Sequence, residues 1–191
     1  MKLPCSNLNA QYEFRKVDLV FEGNTYSDVF CQKNNKTVSE TLKQKRYAKL
    51  KDETQIKYPT SADMPLGEFL LSLKSAGDPF YVRFLNKYGD LTYSIFRISD
   101  SGYLDSKGVY AYLCGGELKY IGRCKDSMKK RVNQGYGKIH PKNCFIDGQA
   151  TNCHLNWRIT AESSEVTLWL YELDLDAEIE CVERELIGAC N

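Results

Sequence analysis

The sequence predicts an α+β fold, and three observations predict it. The stretch Gly108 to Gly122, G-V-Y-A-Y-L-C-G-G-E-L-K-Y-I-G, reads as two short strands around a tight turn. Val166 to Leu173 is an apolar strand, and Ala177 to Ala189 repeats apolar residues at helical spacing. Ahead of residue 105, strand-like and helix-like segments follow one another without internal repeats.

Tyr12 to Phe21 alternates roughly, Glu22-Gly23-Asn24 reads as a turn, and Thr25 to Cys31 is expected to pair back as a strand. Ser39 to Glu53 is predicted as a helix with Ser39 as N-cap. Its cations Lys43, Lys45, Arg46, Lys49 and Lys51 suit either a solvated face or a phosphate-contacting one. Met64 to Ser75 is a second helix, with Leu66, Phe69, Leu70 and Leu73 on one side. Phe80 to Leu85 and Leu91 to Ile98 are expected to form a β-hairpin. The break at Ser99-Asp100-Ser101-Gly102 sets a boundary near residue 105 and divides the chain into 1–105 and 106–191.

In the second half, Tyr110, Tyr112, Leu113 and Cys114 suit a pleated strand, and Gly115-Gly116 supplies the turn. Leu118, Tyr120 and Ile121 form the returning strand. Asp126 to Gln134 reads as a short helix stopped by Gly135-Tyr136-Gly137, and Thr151 to Thr160 as another.

The net charge of +1 neither implies nor excludes a nucleic-acid partner, because such a reader needs only one basic face. No apolar run approaches the length of a membrane span, and no signal peptide is visible, so a cytoplasmic setting is expected. The eight cysteines contain no C-x-x-C pair and are expected to be reduced thiols. Cys144, Cys153, His154 and His140 fit the spacing of no standard zinc module.

The hairpin resembles the signature of the GIY-YIG nucleases: Gly108-Val109-Tyr110 matches its first half with Val for Ile, and Tyr120-Ile121-Gly122 its second half intact. The resemblance implies a small, mainly antiparallel three-stranded sheet flanked by helices, here preceded by an α/β extension that reads DNA or pairs subunits. It implies a divalent-metal-dependent endonuclease acting on double-stranded DNA. The expected setting is a restriction or related bacterial or phage defence enzyme acting as a homodimer. A homing-type or phage-encoded nuclease and a cleavage-inactive DNA-binding module are the alternatives.

By the same resemblance, Tyr110 is the proton acceptor for water, Tyr120 positions water or phosphate, and Arg131 holds the phosphate with its forked guanidinium. A phenol titrates near pH 10, so Tyr110 needs neighbouring cations to lower it, with Lys119, Arg123, Lys129, Lys130 and Arg131 as candidates. The family often carries a His or Tyr one turn after the arginine. Here Gly135 stands four residues on, and Tyr136, one residue later, is the first candidate, His140 the second. Glu183, three residues before Leu186-Ile187, is the expected ligand of Mg²⁺ or Mn²⁺. Arg123, Lys129, Lys130, Lys138 and His140 are expected to contact DNA. The amides Asn143, Gln149, Asn152 and Asn156 suit either base edges or their own loop.

Overall fold

A computed structural model describes residues 12–190. In chain order the elements are β1 (Arg15–Val17), β2 (Leu19–Tyr26), α1 (Val38–Leu42), α2 (Lys51–Lys57), α3 (Leu66–Ser75), β3 (Tyr93–Ile98), β4 (Gly108–Cys114), β5 (Glu117–Cys124), a π-helix (Lys129–Tyr136), α4 (Ala150–Ala161), β6 (Val166–Glu172) and α5 (Asp176–Cys190). Short 3₁₀ turns link several of them. The fold is mixed α and β with antiparallel sheets.

The main sheet has four strands in the order β1-β6-β4-β5, one more than the three expected, because the short β1 adds to β6. Strand β2 runs straight through the expected turn at Glu22-Gly23-Asn24, with Gly23 at φ 68°, and pairs with β3. Phe80 to Leu85, expected as a strand, forms a 3₁₀ turn over Pro79–Phe84. Pro79 starts it and the Asp78 side chain accepts the Phe80 N–H, which fixes a helical entry. The long helix expected over Ser39 to Glu53 is three short pieces, and its cap is Thr37: a capping box joins Thr37 and Glu40.

The residues form two compact units that do not divide at residue 105. The first contains the described residues of 12–23, 95–138 and 158–190, and the second those of 24–94 and 139–157. In the first, Val109, Ala111 and Leu113 pack under Ile179, Val182 and Leu186 of α5, with Phe14 beside them. In the second, Phe30, Tyr47, Leu66, Leu70, Phe84, Tyr93 and Phe145 are central to the core.

Two buried or half-buried amides act as substitute strand partners for β3. Within the first unit, Asn133 Oδ1 accepts from Ile98 N at 2.8 Å and its Nδ2 donates to Ile98 O at 3.2 Å. Within the second, Asn156 Oδ1 accepts from Ser94 N at 3.1 Å and its Nδ2 donates to Ser94 O at 2.8 Å. Each carboxamide offers the strand the same donor and acceptor that a ladder neighbour would.

Among the described residues no helix is long and apolar enough to cross a membrane. Cys31, Cys114, Cys124, Cys144, Cys153 and Cys181 are free thiols. Cys190 is disulfide-bonded, which departs from the expectation of uniformly reduced cysteines.

Candidate active site

The hairpin β4–β5 builds the site. Gly115 and Gly116 take φ 56° and 84°, which only glycine adopts at little cost, and the strands leave the turn antiparallel. Tyr112 lies opposite Tyr120, and Tyr110 opposite Gly122. Directly paired residues share a face, so these three tyrosines stand on one side of the sheet. The ring centroids of Tyr110 and Tyr120 are 6.0 Å apart, as are those of Tyr110 and Tyr112.

Gly122 is glycine for a steric reason. A Cβ there would sit 2.6 Å from the Tyr120 ring and 2.8 Å from both Cζ and the hydroxyl of Tyr110. Its hydrogen leaves the room in which the two phenols meet.

Arg131 and Tyr136 approach the same cluster from the π-helix. Arg131 Nε donates to the Tyr110 hydroxyl at 3.0 Å. Its guanidinium carbon lies 5.8 Å from the Tyr136 ring centre. Tyr136 is fully buried and its hydroxyl is 2.9 Å from that of Tyr112. The expected α-helix ending before Gly135 is therefore corrected: the coil widens and continues to Tyr136, and Gly137 N bonds Val132 O five residues back. In this wider coil the residue five positions on comes round to the same side, where an α-helix would bring the fourth. That accounts for how Tyr136, rather than position 135, joins Arg131.

The protonation expectation for Tyr110 is also corrected. Burial pushes its phenol well above the ordinary value, the neighbouring Tyr136 and Tyr120 push the same way, and Arg131 lowers it less than these raise it. Three other candidate cations are engaged with carboxylates of their own. Lys119 pairs with Glu117 at 2.7 Å, Lys130 with Asp126 at 2.8 Å, and Arg123 with Glu183 at 2.9 Å. Tyr136 is likewise raised well above its ordinary value by burial and by Tyr112. In the free protein Tyr110 and Tyr136 are thus phenols beside one guanidinium.

Glu183 stands apart from this cluster. Its carboxylate is held by Arg123, which lies opposite Val109 and so on the α5 side of the sheet. Asp176, Glu180 and Glu183 form one line on α5. Lys125 bonds Glu180 and approaches Asp176 to 4.0 Å, and Lys125 first of all lowers the Glu180 carboxyl. Of the five expected catalytic residues, contacts join Tyr110, Tyr120, Arg131 and Tyr136, and Glu183 is partnered elsewhere.

As a metal ligand, Glu183 supplies a hard oxygen donor with Glu180 one turn away. Mg²⁺ and Mn²⁺ accept such a set when water and substrate phosphate fill the remaining positions. The donor chemistry fits, with Arg123 in the place a cation would take. Among the described residues no group of three or more His, Cys, Asp or Glu side chains is arranged to hold a metal ion.

Lys129 and Lys138 are exposed, as is His140, whose Nδ1 accepts from Lys142 N at 3.2 Å. Asn143 is half-buried, and exposed Gln149 accepts a bond from Asn152 Nδ2 at 2.9 Å. Two expected base readers are corrected. Asn152 is buried against Gln149, and Asn156 is fully buried with both amide ends on Ser94. Sequence reasoning missed Tyr112 as a member of the cluster, although the two-residue spacing Tyr110-Ala111-Tyr112 already places both rings on one face.

No family model matches the chain, and no curated protein or solved structure matches it.

Proposed function

We propose that the chain is a GIY-YIG-type endonuclease that hydrolyses phosphodiester bonds of double-stranded DNA with a divalent metal ion. One observation carries the reading: Tyr120, Arg131 and Tyr136 gather around Tyr110, with Arg131 Nε bonded to the Tyr110 hydroxyl.

That bond uses one of the five N–H donors of Arg131. The two terminal NH₂ groups keep the rest for a phosphate, which a guanidinium grips with parallel hydrogen bonds. The same bond leaves the Tyr110 oxygen fixed beside the phosphate that Arg131 holds. Tyr110, as phenolate, takes a proton from water as the water oxygen bonds phosphorus and the bond to the leaving sugar oxygen breaks. Because burial holds Tyr110 as a phenol, the active form is a minor population that grows with pH. Glu183 would be the residue to hold the metal ion, whose chemistry is to offset negative charge on a phosphate; as the chain is folded it is held by Arg123 on the α5 side of the sheet. The setting we favour is a restriction or defence nuclease in the cytoplasm, and a homodimer, since one such site cuts one strand.

A second reading is a DNA-binding module that has lost cleavage. The observation that favours it is the pairing of Glu183 with Arg123 on the other side of the sheet from Tyr110. Nicking of a supercoiled plasmid in Mg²⁺ separates the two. The endonuclease reading expects relaxed and linear product from the intact chain and none from Glu183→Ala. Binding without cleavage of any DNA would leave the second reading standing.

A further inference from the structure

We infer that the second unit carries a surface of its own for the DNA backbone, formed by Lys33, Lys36, Arg46 and Lys142. This rests on the endonuclease reading and names a substrate contact outside the tyrosine cluster.

Residues 33–36 and Arg46 come to one short segment far along the chain, 142–147, which carries Lys142. Lys33 Nζ sits 4.6 Å from the centre of the Phe145 ring. Arg46 Nη1 donates to Ile146 O at 3.0 Å, which fixes the guanidinium with most of its donors unspent. Lys142 follows exposed His140. Burial lowers the Lys33 ammonium, and Lys36 and Lys142 add to this as like charges, with Asp147 opposing them. That carboxylate already accepts the Tyr47 hydroxyl.

Several cations elsewhere are committed: Lys74 to Asp28 and Asp90, Arg83 and Lys57 to Glu53, Arg97 to Glu22. Lys33, Lys36, Arg46 and Lys142 make no ion pair among the described residues. Clustering four cations around one carboxylate, Asp147, costs folding free energy through mutual repulsion. A polyanion recovers it, and a phosphodiester backbone supplies closely spaced charges that suit both Lys and the Arg fork. The exposed His140 and Gln149 nearby add donors of the kind that bond phosphate oxygens.

The test is a salt titration of a labelled duplex followed by fluorescence anisotropy, with EDTA present so that nothing is cut. The intact chain is compared with Lys36→Gln/Lys142→Gln, which removes two exposed charges and leaves half-buried Lys33 and hydrogen-bonded Arg46 in place. The slope of log K against log salt is expected to become shallower by about 2, and affinity at moderate salt to fall on the order of tenfold. The charge-preserving Lys36→Arg/Lys142→Arg chain is expected to keep the original slope. An unchanged slope in the Gln chain overturns the inference, as does equal loss in the Arg chain. A loss seen with RNA and absent with duplex DNA overturns it too. Plasmid nicking run in parallel separates the two levels. Cleavage with an unchanged slope sinks this surface alone, whereas neither binding nor cleavage by the intact chain sinks the endonuclease reading with it.

Discussion

On one face of β4 the alternating residues are Tyr110 and Tyr112, and on the other they are Val109, Ala111 and Leu113. Both faces are buried, yet they do different work. The aliphatic face packs under Ile179, Val182 and Leu186 and needs only shape and volume. The tyrosine face carries hydroxyls that must find partners, and it finds them in one another and in Arg131. A stack of phenols is a costly way to fill a core, because each buried hydroxyl needs a hydrogen bond that an aliphatic group does not. On the proposed endonuclease reading, the tyrosine face serves chemistry at Tyr110 and the α5 face stability.

Removing Arg131 is expected to break the contrast most strongly. Arg131→Ala should lower plasmid cleavage by about 10²–10³-fold, the usual effect of losing one charged donor to a transition state. Cleavage at the rate of the intact chain would remove the tyrosine face from the reaction. On the aliphatic face, Leu186→Ala should cost about 2–5 kcal/mol in denaturant unfolding, as a cavity in a packed core does. Its turnover, measured well below the melting temperature, should stay unchanged.

Gly122→Ala should cost less, about 1–3 kcal/mol, because the new methyl must displace the Tyr110 or Tyr120 ring. It should also impair cleavage out of proportion to that loss, since the displaced atoms include the Tyr110 hydroxyl. The smallest stability change belongs to Arg123→Ala. The pair it breaks is half-exposed, so the cost is about 1 kcal/mol at most. If Glu183 is the metal ligand, freeing it should reduce the Mg²⁺ needed for half-maximal cleavage by up to about fivefold. A higher Mg²⁺ requirement would assign Arg123, not its removal, to the working site.

The parts of this arrangement that were legible in the sequence are those fixed by neighbours along the chain. Gly115-Gly116 closes its hairpin whatever surrounds it. Strand Val166–Glu172 and helix Asp176–Cys190 follow from their own apolar periods. The meeting of Tyr110 with Arg131 was readable through the resemblance of the two short motifs. The position of Tyr136 was not, because the sequence pattern of Lys129–Tyr136 carries no mark of a widened coil. The fate of Asn156 was hidden for another reason. An amide suits a base edge and a bare strand edge equally, and only the fold supplies Ser94 as the partner. The partner of Glu183 was hidden likewise, since Arg123 lies sixty residues earlier in the chain.

The most direct measurement is the pH profile of kcat/KM for plasmid cleavage by the intact chain and by Tyr110→Phe. That ratio reports groups in the free enzyme, where burial raises the Tyr110 phenol. Below that raised value the phenolate fraction grows about tenfold per pH unit, so the rate should climb from pH 6 to 9 without a plateau. Tyr110→Phe should be far slower and lose the climb. A Tyr110→Phe chain that cleaves as fast as the intact one, with the same profile, would contradict the account.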